Sequence, residues 1–114
     1  GRMDIYEWKN LIIDKALRQI TYRSNMSNSD KQELTLVLSD YLDEGITILR
    51  KWRKMSDDSE FISGQHDSGL VAFIKAKDQA NGRDLFSDYS SGGVRANMKV
   101  TPENLLKGSC KQVM

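Results

Sequence analysis

Between Asp4 and Arg23 the apolar residues Ile5, Trp8, Leu11, Ile12, Ala16, Leu17 and Ile20 return at steps of three and four, the spacing that lines one face of a helix. A first amphipathic helix is predicted there. The run from Ser24 to Ser29 is short and polar, so it reads as a connector. Ser29 or Asp30 then offers an N-cap, with Gln32 or Glu33 placed to close a capping box. The period resumes at Leu34, Val37, Leu38, Tyr41, Leu42, Ile46, Leu49 and Trp52, which predicts a long second helix with basic residues at its carboxyl end. A glycine inside a helix costs up to about 1 kcal/mol relative to alanine, so Gly45 marks a bend or a close helix crossing.

The segment MSDDSEFISGQHDSG breaks the period, and Phe61 and Ile62 are expected to plug into the core as this loop crosses it. Asp67 or Ser68 caps a third helix whose buried side is Leu70, Val71, Phe73, Ile74, Ala76 and Ala80, and Asn81-Gly82 supplies a left-handed stop. A polar segment follows, with Leu85, Phe86 and Tyr89 ahead of Ser90-Ser91-Gly92-Gly93, then an alternating VRANMKV that fits a short strand. Thr101-Pro102-Glu103 has helix-start chemistry: a capping hydroxyl, a proline where no amide hydrogen is needed, and an acid at the positive end of the dipole. A brief last helix carries Leu105 and Leu106 and ends at Gly108. The predicted fold is all-α, a small bundle of three main helices plus a short C-terminal helix, with a long polar loop or β-like arm over residues 83–100. At 114 residues this is one domain, from residue 3 to residue 114, and Gly1-Arg2 before Met3 reads as an expression remnant.

Composition narrows the function classes. Lys and Arg number 17 against 16 for Asp and Glu, so the net charge of +1 provides no strong global field toward nucleic acid or membrane. No apolar run reaches the length of a membrane span, and no signal peptide profile opens the chain. The one cysteine, Cys110, forms no internal disulfide and points to a reducing compartment, while the one histidine, His66, gives zinc too few ligands. No cofactor or metal is expected.

Nor do catalytic groups converge in the sequence. The Ser-Gly-Gly-Val turn lacks the spacing of a phosphate-binding loop, and Asp57, Asp58 and Glu60 lack the ordered alternation of a calcium loop. The chain is therefore not expected to be an enzyme. Arg50, Lys51, Arg53 and Lys54 surround Trp52, and cations beside an aromatic can pair phosphates and stack on bases. These four are the candidate DNA-facing residues. The same pattern also describes a solvated helix end, where cations favour the macrodipole and Trp52 belongs to the core. The acids at 57–60 can meet a basic patch on a neighbouring copy, and the adjacent Arg-Lys cluster makes head-to-tail pairing one option.

From the third helix onward the order of features resembles the small head-tail connector proteins of tailed bacteriophages, also called adaptor or head-completion proteins. The resemblance rests on Phe61 and Asp67 before the third helix, Asn81-Gly82 at its end, Ser90-Ser91-Gly92-Gly93-Val94 in the polar loop, and Pro102-Glu103 with Leu105-Leu106 at the finish. It departs from the family at Arg83-Asp84-Leu85-Phe86 and at Ala76, Lys77 and Ala80, where a tyrosine is often found. The resemblance implies a structural virion assembly protein. Identical copies form a closed ring that docks on the portal protein, lets genomic DNA pass in transient, non-specific contact, and offers a platform to a downstream head-completion or tail protein. It further implies residence in the virion at the head-tail interface, and in the host cytoplasm during assembly.

A ring built from one repeated contact needs two different complementary faces on each copy. One expected face is the arm, through Leu85, Phe86, Tyr89, Val94 and Met98, with Ser90, Ser91, Gly92 and Gly93 at its turn and Leu105 and Leu106 beyond it. The other is an exposed strip of the first two helices. The alternative function is a small helical DNA-binding or regulatory module that uses the basic cluster at 50–54.

Overall fold

Asp4 starts the first helix, its side chain accepting the amide of Glu7 at 2.8 Å, which satisfies one of the donors left open at a helix start. In a computed structural model that describes residues 3–20, 25–83, 85–86 and 101–111, α1 runs over Ile5–Arg18, shorter than the sequence pattern suggests. Its buried face is Trp8, Ile12, Ile13 and Ala16, whereas Leu11 is 44% exposed. The apolar triplet Leu11-Ile12-Ile13 fits two registers of the helical period, and the one chosen turns Ile13 inward.

The second helix, α2, spans Asn28–Arg53 and begins earlier than expected, because Ser27 rather than Ser29 or Asp30 caps it by accepting the amide of Asp30 at 3.1 Å. Lys54 closes it in the left-handed region with φ 54°. Gly45 is the site of a close helix crossing. A Cβ there would stand 2.9 Å from both Leu70 Cδ2 and Phe73 Cδ1, so the missing side chain lets α2 approach the helix that carries those residues.

The expected loop after α2 contains a four-residue helix, α3, over Ser59–Ile62. Its Phe61 is fully buried and Ile62 half-buried. The third main helix, α4, covers Asp67–Ala80 and packs against α1 and α2. After it, Gly82 turns the chain at φ 82°, the left-handed stop expected there. The last helix, α5, spans Pro102–Lys111, with Thr101 Oγ1 accepting the amide of Asn104 at 3.1 Å. It continues past Gly108 and docks on α4 and α2.

The protein is thus an all-α bundle of three main helices, α1, α2 and α4, closed by α5. One core joins all of them through Trp8, Ile12, Leu38, Leu42, Leu49, Phe61, Leu70, Phe73, Ile74 and, from α5, Leu106. Each such side chain contributes about 1.5–3 kcal/mol by leaving water. Among the described residues the only extended pairing is a single antiparallel bridge between Ile20 and Phe86. The expected strand at 94–100 and most of the polar arm lie outside the described residues.

Candidate assembly surfaces

Trp8 joins two of the residues on which the resemblance rests, Phe61 and Asp67. Its indole donates to Asp67 Oδ1 at 2.9 Å, and Lys15 Nζ donates to the other oxygen of that carboxylate at 2.8 Å. Phe61 lies against the indole with ring centroids 5.4 Å apart, and His66 meets Phe61 edge-on at 6.1 Å. Phe61 and Asp67 therefore clamp α1 to the start of α4. Asp67 does not cap α4 as one sequence alternative had it: the cap position is His66, with no side-chain cap bond. Its carboxylate is spent on Trp8 and Lys15, partners 59 and 52 residues away that no local pattern reveals.

At the end of α2 two of the four candidate DNA-facing residues fold onto the acids that follow them. Arg50 pairs with Asp58 at 2.6 Å, and Arg53 pairs with Glu60 at 3.2 Å. Glu60 also lies 3.2 Å from Nε2 of the buried His66. The expected pairing of this acidic loop with a neighbouring copy is corrected here for Asp58 and Glu60, because eight- and seven-residue separations let the chain neutralise these charges itself. Lys51 and Lys54 are exposed, and Trp52 is half-buried against the core.

The hydrogen bond from His66, helped by the Arg53 guanidinium, holds the Glu60 carboxyl below the ordinary glutamate range, against an opposing contribution from burial. Asp57 is lowered likewise, by the hydroxyl and amide of Ser59. A carboxylate whose folded value is depressed adds stability above its unfolded value, about 4.3 for glutamate, and that stability is lost as pH falls through the folded value. Glu60→Gln should therefore lower the melting temperature at neutral pH and flatten its decline below about pH 4.3. Thermal unfolding followed at several pH values checks this; parallel profiles for the two proteins would show that Glu60 carries no such linkage.

The chain between α4 and α5 is fixed firmly at its start. Asp78, fully buried, accepts the amide of Leu85 at 3.0 Å through Oδ2, and its own carbonyl accepts the amide of Arg83 at 3.0 Å. Asn81 Nδ2 donates to the hydroxyl of Tyr41 at 3.2 Å. Phe86 is fully buried beside Ile20, and Leu106 is fully buried on α5. Both were expected at an intersubunit surface, and both are corrected to the core, because the bundle needs them to fill the space that α1, α2 and α4 leave open. Leu85 and Leu105 are half-buried. Tyr89, Ser90, Ser91, Gly92, Gly93, Val94 and Met98 lie outside the described residues.

Among the described residues, the large apolar side chains left exposed are on α1 and α2. Tyr6 is 72% and Leu36 70% exposed, the largest such values among the described large apolar residues. Leu36 could have been found in the sequence: LTLVL over residues 34–38 holds more apolar residues than one helical face accepts. Two grooves are formed wholly by described residues. One, of about 220 Å³, lies between α1 and α2 and includes Tyr6, Lys9, Ile13 and Asp43. The other, of about 440 Å³, lies between α1 and α4 and includes Lys15, Arg18, Asp67, Val71 and Lys75.

Among the described residues no group of three or more His, Cys, Asp or Glu side chains is arranged to hold a metal, and no helix is long and apolar enough to cross a membrane. Comparison with protein-family models, with curated proteins and with solved structures gives no match.

Proposed function

We propose that the protein is a structural subunit of the head-tail junction of a tailed bacteriophage. Copies form a homo-oligomeric ring that sits on the portal protein, passes genomic DNA through its channel and presents a platform to a downstream head-completion or tail protein. No reaction belongs to this role. The observation that carries it is the position of the uncovered apolar side chains: Tyr6 and Leu36 stand out on the first two helices, the strip already singled out for a neighbour. Apolar groups of that size gain stability when a partner removes them from water. The order of sequence features from Phe61 to Leu106 supplies the specific family.

The DNA-binding alternative draws less support. Arg50 and Arg53 are committed to Asp58 and Glu60, so only Lys51 and Lys54 of that cluster extend without a described ion pair. Electron micrographs of the purified protein, alone and mixed with purified portal rings, test the leading role. Annular particles with an open channel, or an added layer on the portal, are expected. Bare portals and isolated small particles at every concentration would overturn it.

A further inference from the structure

One side of α2 faces outward along the whole helix. At about 3.6 residues per turn, Glu33, Leu36, Asp40, Asp43, Thr47 and Lys51 fall within about a quarter turn of one another. They lie on the side opposite the buried Leu38, Leu42, Gly45 and Leu49. All of them are exposed, as is Lys54 at the C-cap.

This stripe changes sign along its length. Glu33 and Asp40 occupy its first half, and Lys51 and Lys54 its end. No described ion pair engages any of these four, whereas Arg50 and Arg53 beside them are spent on Asp58 and Glu60. The helix macrodipole does not account for the acids, because its reach ends with the first turn and the acid there is Asp30. Between Glu33 and Asp40 stands Leu36, 70% exposed.

A stripe with free acids at one end and free cations at the other complements a second copy of itself laid in the opposite direction. We propose that two copies pair through the outward stripes of α2, antiparallel about a two-fold axis near Asp43 and Glu44. Leu36 of each copy then lies on the aliphatic stem of the other copy's Lys51, whose ammonium falls between Glu33 and Asp40. Glu33 also comes opposite Lys54, and Asp40 opposite Thr47. The acids nearest the axis bring cations of their own: Lys9 stands 2.9 Å from Asp43, and Lys77 3.0 Å from Glu44. Parallel stripes would set Glu33 and Asp40 against themselves, so opposite potentials fix the direction.

The contact goes beyond the ring role. A two-fold contact uses the same patch on both copies and does not repeat from copy to copy, so added to a ring it joins two rings face to face as one closed particle.

The test is sedimentation equilibrium of full-length chains. Glu33→Lys with Asp40→Lys makes the stripe's free charges all positive, and Lys51→Glu with Lys54→Glu makes them all negative; each change is expected to weaken pairing at least about ten-fold. A chain carrying all four substitutions has its polarity inverted but complements itself again, and it should regain pairing. Leu36→Ser, at an exposed position outside the core, should weaken pairing without altering the circular dichroism melt. Reversed and Leu36→Ser chains that associate as tightly as wild type would overturn the contact, and so would a folded four-substitution chain that fails to recover. Either result leaves the ring role standing, since that role is read from particles formed with the portal. Unchanged self-association with lost affinity for duplex DNA in the Lys51→Glu, Lys54→Glu chain would overturn the pairing and assign these cations to DNA. A wild-type chain that stays monomeric at millimolar concentration also overturns it.

Discussion

Replacing Phe86 with alanine is expected to destabilise the fold by about 3–5 kcal/mol, the range for truncating a large buried aromatic. The ring is fully buried, its backbone pairs with Ile20, and Lys75 Nζ stands 5.9 Å from the ring centroid. Truncation leaves a cavity between elements that sequence separation alone does not hold together. Against a total stability of about 5–15 kcal/mol for a domain, such a loss is a large fraction. Denaturant unfolding measures it. A change under about 1 kcal/mol would mean that the side chain behaves as a surface residue, the role first expected of it from the sequence.

The second large effect is expected at Leu106. Leu106→Asp removes a fully buried leucine from α5, a loss of about 2–5 kcal/mol for truncation alone. It also places a carboxylate where water is excluded, which adds a desolvation cost unless the helix detaches. The expected result is a chain whose C-terminal helix comes away and whose melting transition falls sharply or disappears. Leu105→Asp is the internal control: its side chain is half-buried, so the same charge can reach water and the transition should move much less. Equal effects at the two positions would contradict the orientation of α5.

The contrast between these neighbours shows where sequence patterns stop. Repeated spacing over many turns identified α1, α2 and α4, and the Thr101-Pro102 start located α5, because caps and periodicity are local. A pair such as Leu85-Phe86 or Leu105-Leu106 has no period, so nothing local decides which member enters the core. The decision came from the gap left by distant helices. Asp67 shows the same limit, since its partners Trp8 and Lys15 belong to α1. Gly45 was legible as either a bend or a close crossing but not as which of the two, because the atoms that decide for the crossing are Leu70 and Phe73 of another helix.

The candidate surfaces were legible in a similar measure. The basic cluster and the acidic loop were plain in the sequence, yet Arg50–Asp58 and Arg53–Glu60 pair within the chain. The groove between α1 and α4 was not legible, because it is assembled from residues of two helices far apart in sequence. The core is also more self-sufficient than the polar composition implies: Phe86 and Leu106 complete it without a neighbour. Association, on this account, joins finished bundles through exposed patches.

That claim has a direct test in the mass of the particle. Multi-angle light scattering of the purified full-length chain, followed from micromolar to millimolar concentration, should show monomers giving way to one closed species of fixed copy number, without a gain in helical circular dichroism. A single monomer mass at every concentration would contradict it, and so would assembly that appears only as the helices form.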